Sequence, residues 1–211
     1  MRNLDADTVL LAVGDCTGHG VPGALMSMIG ITLLDRLIQE GVTEPALILE
    51  QLHLGIRRAL QQDGDTKTAQ DGMDIGLCRI ERATGRLCFS GAALRAYLVT
   101  PAGELTTIKG DTKSIGGRQR EAYRTFTHHE VDYADGTMLY LLTDGFTDQK
   151  NPTGERYGSR RTGQKLQQIA SLPAARQAEA LSREIHLFRG TEAQLDDIAI
   201  VGVRLTVKHG E

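Results

Sequence analysis

Four short runs of strand-forming residues between positions 73 and 108 follow one another with turns too brief to hold a crossover helix, and this spacing constrains the fold more than any other feature. The runs are Met73 to Arg79, Arg86 to Ser90, Ala96 to Thr100 and Glu104 to Ile108. They are separated by Thr84-Gly85, Gly91 and Pro101-Ala102-Gly103. Parallel neighbours need a connection of roughly a dozen residues, so the spacing predicts an antiparallel meander. Arg124 to Val131 and Thr137 to Leu142 continue the sheet, and Ile198 to Leu205 closes the chain as a strand.

Helical patterns lie on either side of this region. Val21 to Ile38 is apolar almost all round and reads as a buried helix. Glu44 to Gln62 places Leu49, Leu52, Ile56 and Leu60 on one face, and Asp63-Gly64-Asp65 stops it. Ala174 to Phe188 aligns Ala178, Leu181, Ile185 and Phe188 in the same way. Strands in runs and helices in groups predict an α+β fold in one domain over residues 1–211. Met1 lies only a few residues ahead of the first strand, Thr8 to Val13. The domain therefore begins abruptly or is a piece of a longer chain.

Composition excludes several classes. The chain is 40% apolar and 24% charged, which supports a packed core and argues against disorder. A net charge of −3 without a basic run argues against a nucleic-acid partner. No membrane segment and no signal peptide are expected. Cys16, Cys78 and Cys88 are too scattered for a disulfide framework or a zinc knot, which fits a reducing cytoplasmic setting. A parent protein could still be membrane-attached through domains outside this sequence.

Three apolar runs have aspartate at one end. Asp15 follows Leu-Leu-Ala-Val-Gly, Asp144 follows Leu139-Tyr-Leu-Leu-Thr143, and Asp196-Asp197 precede Ile198-Ala-Ile-Val. Carboxylates at strand ends can converge at one edge of a sheet, where several hard oxygens suit Mg²⁺ or Mn²⁺. Each Asp taken alone reads equally well as a turn former or a cap. Gly18, Gly20 and Gly23 lie between a strand end and a helix start. Their bare backbone could approach a phosphate or water, or could serve close helix packing. His128 and His129 would point to opposite faces of a strand and read as surface or edge positions. Asp74 either supports the metals and their waters or simply starts a strand. Cys16 has nothing beside it to make it a nucleophile.

The segment Val13-Gly-Asp-Cys-Thr-Gly-His-Gly-Val-Pro-Gly-Ala-Leu25 resembles the first signature of the stage II sporulation protein E-like branch of the PPM metal-dependent serine/threonine protein phosphatases. Leu142-Thr-Asp-Gly-Phe-Thr-Asp148 is similar to its second signature, and Asp196-Asp-Ile-Ala-Ile-Val201 to its third. Asp71-Gly-Met-Asp-Ile-Gly76 and Ser114-Ile-Gly-Gly117 match lesser markers. The resemblance covers almost the whole chain. It implies an antiparallel β-sandwich flanked by helix pairs, with two Mn²⁺ or Mg²⁺ ions at one end. Asp15 would bridge the ions, and the Cys16 backbone carbonyl, Asp144 and Asp196 would complete one of them. Alternation along a strand would keep Asp197 from ligating together with Asp196. Apart from the resemblance, Gly18 and Gly20 are the candidates to meet the substrate, with helix packing the equal alternative. His19 would protonate the leaving seryl oxygen or make a structural hydrogen bond.

The family also carries an acidic residue on a strand upstream of the first signature, in a segment that this sequence does not include. Gly91-Ala-Ala-Leu-Arg-Ala96 departs from the commoner polar patterns as well. The expected substrate class is a phosphorylated STAS-type anti-sigma-factor antagonist in partner-switching signalling. A catalytically weak binding module, compatible with a homodimer, is the alternative. A metal phosphodiesterase is a third reading, disfavoured by the missing basic footprint.

Overall fold

The computed structural model describes residues 1–18, 20–62, 71–117, 121 and 123–208. In chain order its elements begin with β1 (Arg2–Asn3), β2 (Thr8–Cys16), α1 (Gly20–Gln39), α2 (Pro45–Ala59), β3 (Gly72–Glu81) and β4 (Arg86–Ala92). Next come β5 (Arg95–Val99), β6 (Leu105–Lys109), β7 (Ile115–Gly116), β8 (His129–Asp132) and β9 (Met138–Leu142). The chain ends with α3 (Gly145–Asp148), α4 (Gly158–Ile169), α5 (Ala174–Arg189) and β10 (Ile200–Arg204).

Two antiparallel sheets result. The first runs β1-β2-β3-β4-β8, with β7 also pairing β3, and the second runs β10-β9-β5-β6. Alternate residues of each sheet meet in a shared interior: Leu11, Val13, Cys78, Leu87 and Phe89 from the first, Ala96, Leu98, Leu139 and Leu141 from the second. The other face of the first sheet buries Ile75 and Leu77 against Ile48, Leu49, Leu52 and Ile56 of α2 and Met26 of α1. The other face of the second buries Tyr97 and Tyr140 against Leu166 of α4 and Leu181 of α5. The molecule is thus the expected antiparallel sandwich between helix pairs.

The strand run is not one meander. After β4 the chain passes to the other sheet through Ala93, which adopts φ 60 and donates its N–H to the Asp111 carbonyl at 2.7 Å. Gly91 and Gly110 make the crossing possible, because a Cβ on either would lie 2.4 or 2.3 Å from the Leu94 carbonyl oxygen. Spacing identifies strands and turns but does not say which sheet a strand joins. The strand expected over 124–131 shortens to His129–Asp132. Before it, Thr127 is held off the sheet by N–H and hydroxyl bonds to the Asp111 carboxylate at 2.7 and 3.0 Å. The stop expected at Asp63-Gly64-Asp65 lies outside the described residues.

The helix expected to be buried is the largest departure. In α1 only Gly23, Met26, Gly30 and Leu37 are buried, while Val21, Leu25, Met28 and Ile31 are 55–73% exposed. A helix lying on one surface can bury one stripe, whatever the composition of its other faces. Contrary to expectation, α1 is also long and apolar enough to cross a bilayer by length and composition. Here it packs on the first sheet and on α2, where a Cβ at Gly55 would come within 3.0 Å of the Leu33 side chain.

The polar helix α4 escaped the sequence reading because its packed face is made of Thr162 and Gly163 as well as Leu166 and Ile169. At Gly163 a Cβ would already touch Leu105 at 2.9 Å. The Tyr140 hydroxyl donates to Gln177 Oε1 at 2.7 Å in a buried bond that ties the second sheet to α5. Tyr140→Phe orphans that acceptor and is expected to cost about 1–3 kcal/mol. Thermal unfolding should register a loss of roughly 2–4 °C per kcal/mol.

Candidate metal centre

Asp15 is the penultimate residue of β2, and its register partner on β3 is Asp74. Directly opposed residues on neighbouring strands share a face, so the two carboxylates stand side by side at the end of the first sheet. The second sheet delivers the others. Asp144 follows the end of β9 and precedes α3, where its carbonyl accepts the Asp148 N–H at 2.8 Å. Thr143 fastens the 196–199 segment beside it. The Thr143 hydroxyl donates to the Asp197 carbonyl and accepts the Ala199 N–H, both at 3.0 Å. Gly145 permits this approach, since a Cβ there would lie 2.4 Å from the Asp197 carbonyl oxygen.

Asp15, Asp74, Asp144, Asp196 and Asp197 all line one open cleft of about 680 Å³, together with Cys16, Gly18 and Ser114. Among the described residues lining it there is no lysine, arginine or histidine. Partial burial, then the neighbouring Asp196, Asp144, Asp74 and Asp197, push the Asp15 carboxyl up to about 6. Asp144 is also raised, first by burial and then by Asp148, Asp196 and Asp74. Burial raises Asp74 against an opposing hydrogen bond from Ser114. Carboxylates that raise one another, with no basic residue among the described lining, suit hard divalent cations.

The alternation argument against Asp197 does not apply. β10 begins only at Ile200, so Asp196 and Asp197 lie ahead of the strand, and both face the cleft. The Asp197 N–H donates to Asp196 Oδ1 at 2.7 Å. Gly18 (φ 93) and Gly20 (φ 65) occupy left-handed backbone that favours glycine. Gly23 serves packing, because its Cβ would stand 2.5 Å from the Gly18 carbonyl oxygen. Gly20, Gly23 and Ser27 border a smaller recess that also touches Asp15, Cys16 and Asp197. The Cys16 thiol accepts the Ser27 hydroxyl at 3.4 Å. His19 lies outside the described residues. Sequence reasoning missed Thr143, Gly145 and Ser114. Their roles depend on contacts across the chain, although all three stand inside the quoted motifs.

Solved structures share this architecture over nearly the whole chain. The SiaA-PP2C domain of Pseudomonas aeruginosa is 36% identical with a TM-score of 0.83, covering 96% of this chain and 78% of that one. The PP2C phosphatase domain of SpoIIE from Bacillus subtilis, solved with a fragment of its regulatory domain, is 17% identical with a TM-score of 0.73. The match covers 100% of this chain and 58% of that one. The Mycobacterium tuberculosis serine/threonine phosphatase PstP is 18% identical with a TM-score of 0.63, covering 98% and 94%. No curated protein sequence matches significantly. The class is therefore the PPM, or PP2C-type, metal-dependent serine/threonine protein phosphatases. Within it, residues 5–206 match the Stage II sporulation protein E (SpoIIE) family, and the chain belongs to that family.

Proposed function

We propose that this phosphatase hydrolyses phosphoserine or phosphothreonine on a small STAS-type anti-sigma-factor antagonist within partner-switching signalling. The observation that carries the reading is the set of five carboxylates facing one cleft with no basic residue among its described lining. Asp15 would bridge two Mn²⁺ or Mg²⁺ ions, with Asp144, Asp196 and the Cys16 carbonyl completing one of them. Such ions, when bound, supply Lewis acidity and an activated water for in-line displacement at phosphorus. The chain does the positioning. Thr143 and Gly145 set the 196–197 segment against Asp144, and Ser114 orients Asp74. Gly18 and Gly20 offer backbone to the phosphoryl oxygens, and His19 hands a proton to the leaving seryl oxygen. With Cys16 engaged by Ser27, no covalent phosphoenzyme is invoked.

Chelation should abolish phosphate release from the phosphorylated antagonist, and Mn²⁺ or Mg²⁺ should restore it. Hydrolysis of a nucleotide diester at an equal rate would instead support the phosphodiesterase reading. Recognition is expected to need the folded substrate. Aromatic residues are 4% of the chain, there is no tryptophan, and no aromatic residue is among the described lining of the cleft. Specificity then has to come from extended contact, about 800 Å² per partner in a standard interface. The intact phosphoprotein should exceed its isolated phosphopeptide on the order of 100-fold in kcat/KM, since remote contacts can stabilise the transition state. Equal values for the two substrates would favour a reader of short motifs.

A further inference from the structure

A second group of metal-ligating side chains lies on the first sheet, outside the acidic cleft. Cys88 of β4 is directly opposite Glu130 of β8, and both side chains point to the face covered by α2. His128, just ahead of β8, reaches the same spot. Its Nε2 is 3.3 Å from Glu130 Oε1, and the Cys88 Sγ is 4.0 Å from that oxygen. One donor atom from each of the three lies within 4.8 Å of the others. A tetrahedral ion with bonds of about 2.0–2.3 Å has ligand-to-ligand edges of roughly 3.3–3.7 Å. His128 and Glu130 are 35% and 52% exposed, so small side-chain rotations can close the remaining distance.

The surroundings also favour a cation. Arg79 pairs with Glu44 and Glu81, and His128 lies between Glu44 and Glu130, so three carboxylates gather around one guanidinium and one imidazole. The other ring nitrogen, Nδ1, faces Glu44 Oε2 at 3.7 Å. A carboxylate behind a histidine is the arrangement that fixes the tautomer and orientation of a metal-ligating imidazole. Arg79 donates to Cys88 Sγ at 3.5 Å, a contact that a metal-bound thiolate retains.

The geometry points to a site for a borderline divalent cation of the zinc class, held by the Cys88 thiolate, His128 Nε2 and Glu130. The mixed sulfur, nitrogen and oxygen set selects against Mg²⁺ and Mn²⁺, which suit the acidic cleft. Binding would release the Cys88 thiol proton to solvent. The ion would join β4 and β8 and, through His128 and Glu44, brace the start of α2.

The test is cobalt spectroscopy on the full chain, stripped by chelator and then held in excess Mg²⁺ to fill the cleft. One equivalent of Co²⁺ should give thiolate-to-cobalt charge-transfer absorption, and Zn²⁺ should bleach it. Cys88→Ser should remove that absorption. His128→Ala and Glu130→Gln, both at exposed positions, should each weaken cobalt binding on the order of tenfold or more. Phosphate release in Mg²⁺ should be unchanged in all three variants. No thiolate absorption, complete displacement of cobalt by Mg²⁺, or undiminished binding in His128→Ala and Glu130→Gln would overturn the site.

Discussion

Asp15→Asn is expected to abolish phosphate release while leaving the fold intact and, without metal, more stable than the wild type. Asp15 faces Asp74 across the strands and has Asp144, Asp196 and Asp197 around the same cleft, so its charge opposes folding until a cation arrives. Its carboxyl is raised from 3.8 to about 6. Well below pH 4 it is protonated both folded and unfolded, and it costs nothing. As pH rises from about 4 to 6 the unfolded chain releases the proton first, so the metal-free fold loses stability, and above 6 the whole penalty applies. A shift of that size corresponds to about 3 kcal/mol unscreened. The carboxylate is only partly buried, so about 1 kcal/mol is the expected effect after solvent screening. Thermal melts in chelator across this range should show the decline in the wild type and a flatter profile in Asp15→Asn. A variant that melts lower than the wild type in chelator would assign Asp15 a structural role. Asp144→Ala should behave in the same direction.

Gly145→Ala should be nearly as damaging to activity although it removes no functional group. The added methyl would stand 2.4 Å from the Asp197 carbonyl oxygen and 3.2 Å from that of Asp196, and both obstacles are backbone. Relief requires the 196–197 segment to withdraw from Asp144 by roughly 1 Å, a displacement that can lower rates about 100-fold. The expected signature is a fall of that size in kcat/KM with weaker Mn²⁺ activation and an unchanged circular dichroism spectrum. Wild-type kinetics would mean that the segment accommodates the methyl without moving the carboxylates.

The sequence made the strands that lead to Asp15 and Asp144 visible, because continuous apolar runs interrupted by Gly14 or Thr143 have few other readings. Aspartate beside each run pointed toward one shared edge, and the ordered motifs, not the runs alone, carried that reading. Other features depend on contacts between distant segments. Asp74 gains meaning only from its register with Asp15, and Thr143 only from the Asp197 carbonyl that its hydroxyl reaches. The face of α4 was hidden because a glycine and a threonine fill space that a sequence pattern assigns to larger apolar groups. In α1, composition suggested burial, but the number of neighbouring surfaces decides how many faces a helix can cover. Asp197 was ranked below Asp196 partly by a strand rule that the chain does not obey until Ile200.

The cleft draws on both halves of the sandwich: Asp15 and Asp74 come from one sheet, and Asp144 and the 196–197 segment come from the other. The carboxylate oxygens of the cleft therefore act as the jaws of a caliper, with a setting fixed by how Phe89, Leu98 and Leu141 mesh in the layer between the sheets. A slip of that layer would open or close the jaws without breaking a strand. Substitutions that loosen it should silence the enzyme at temperatures where every helix and strand is still in place.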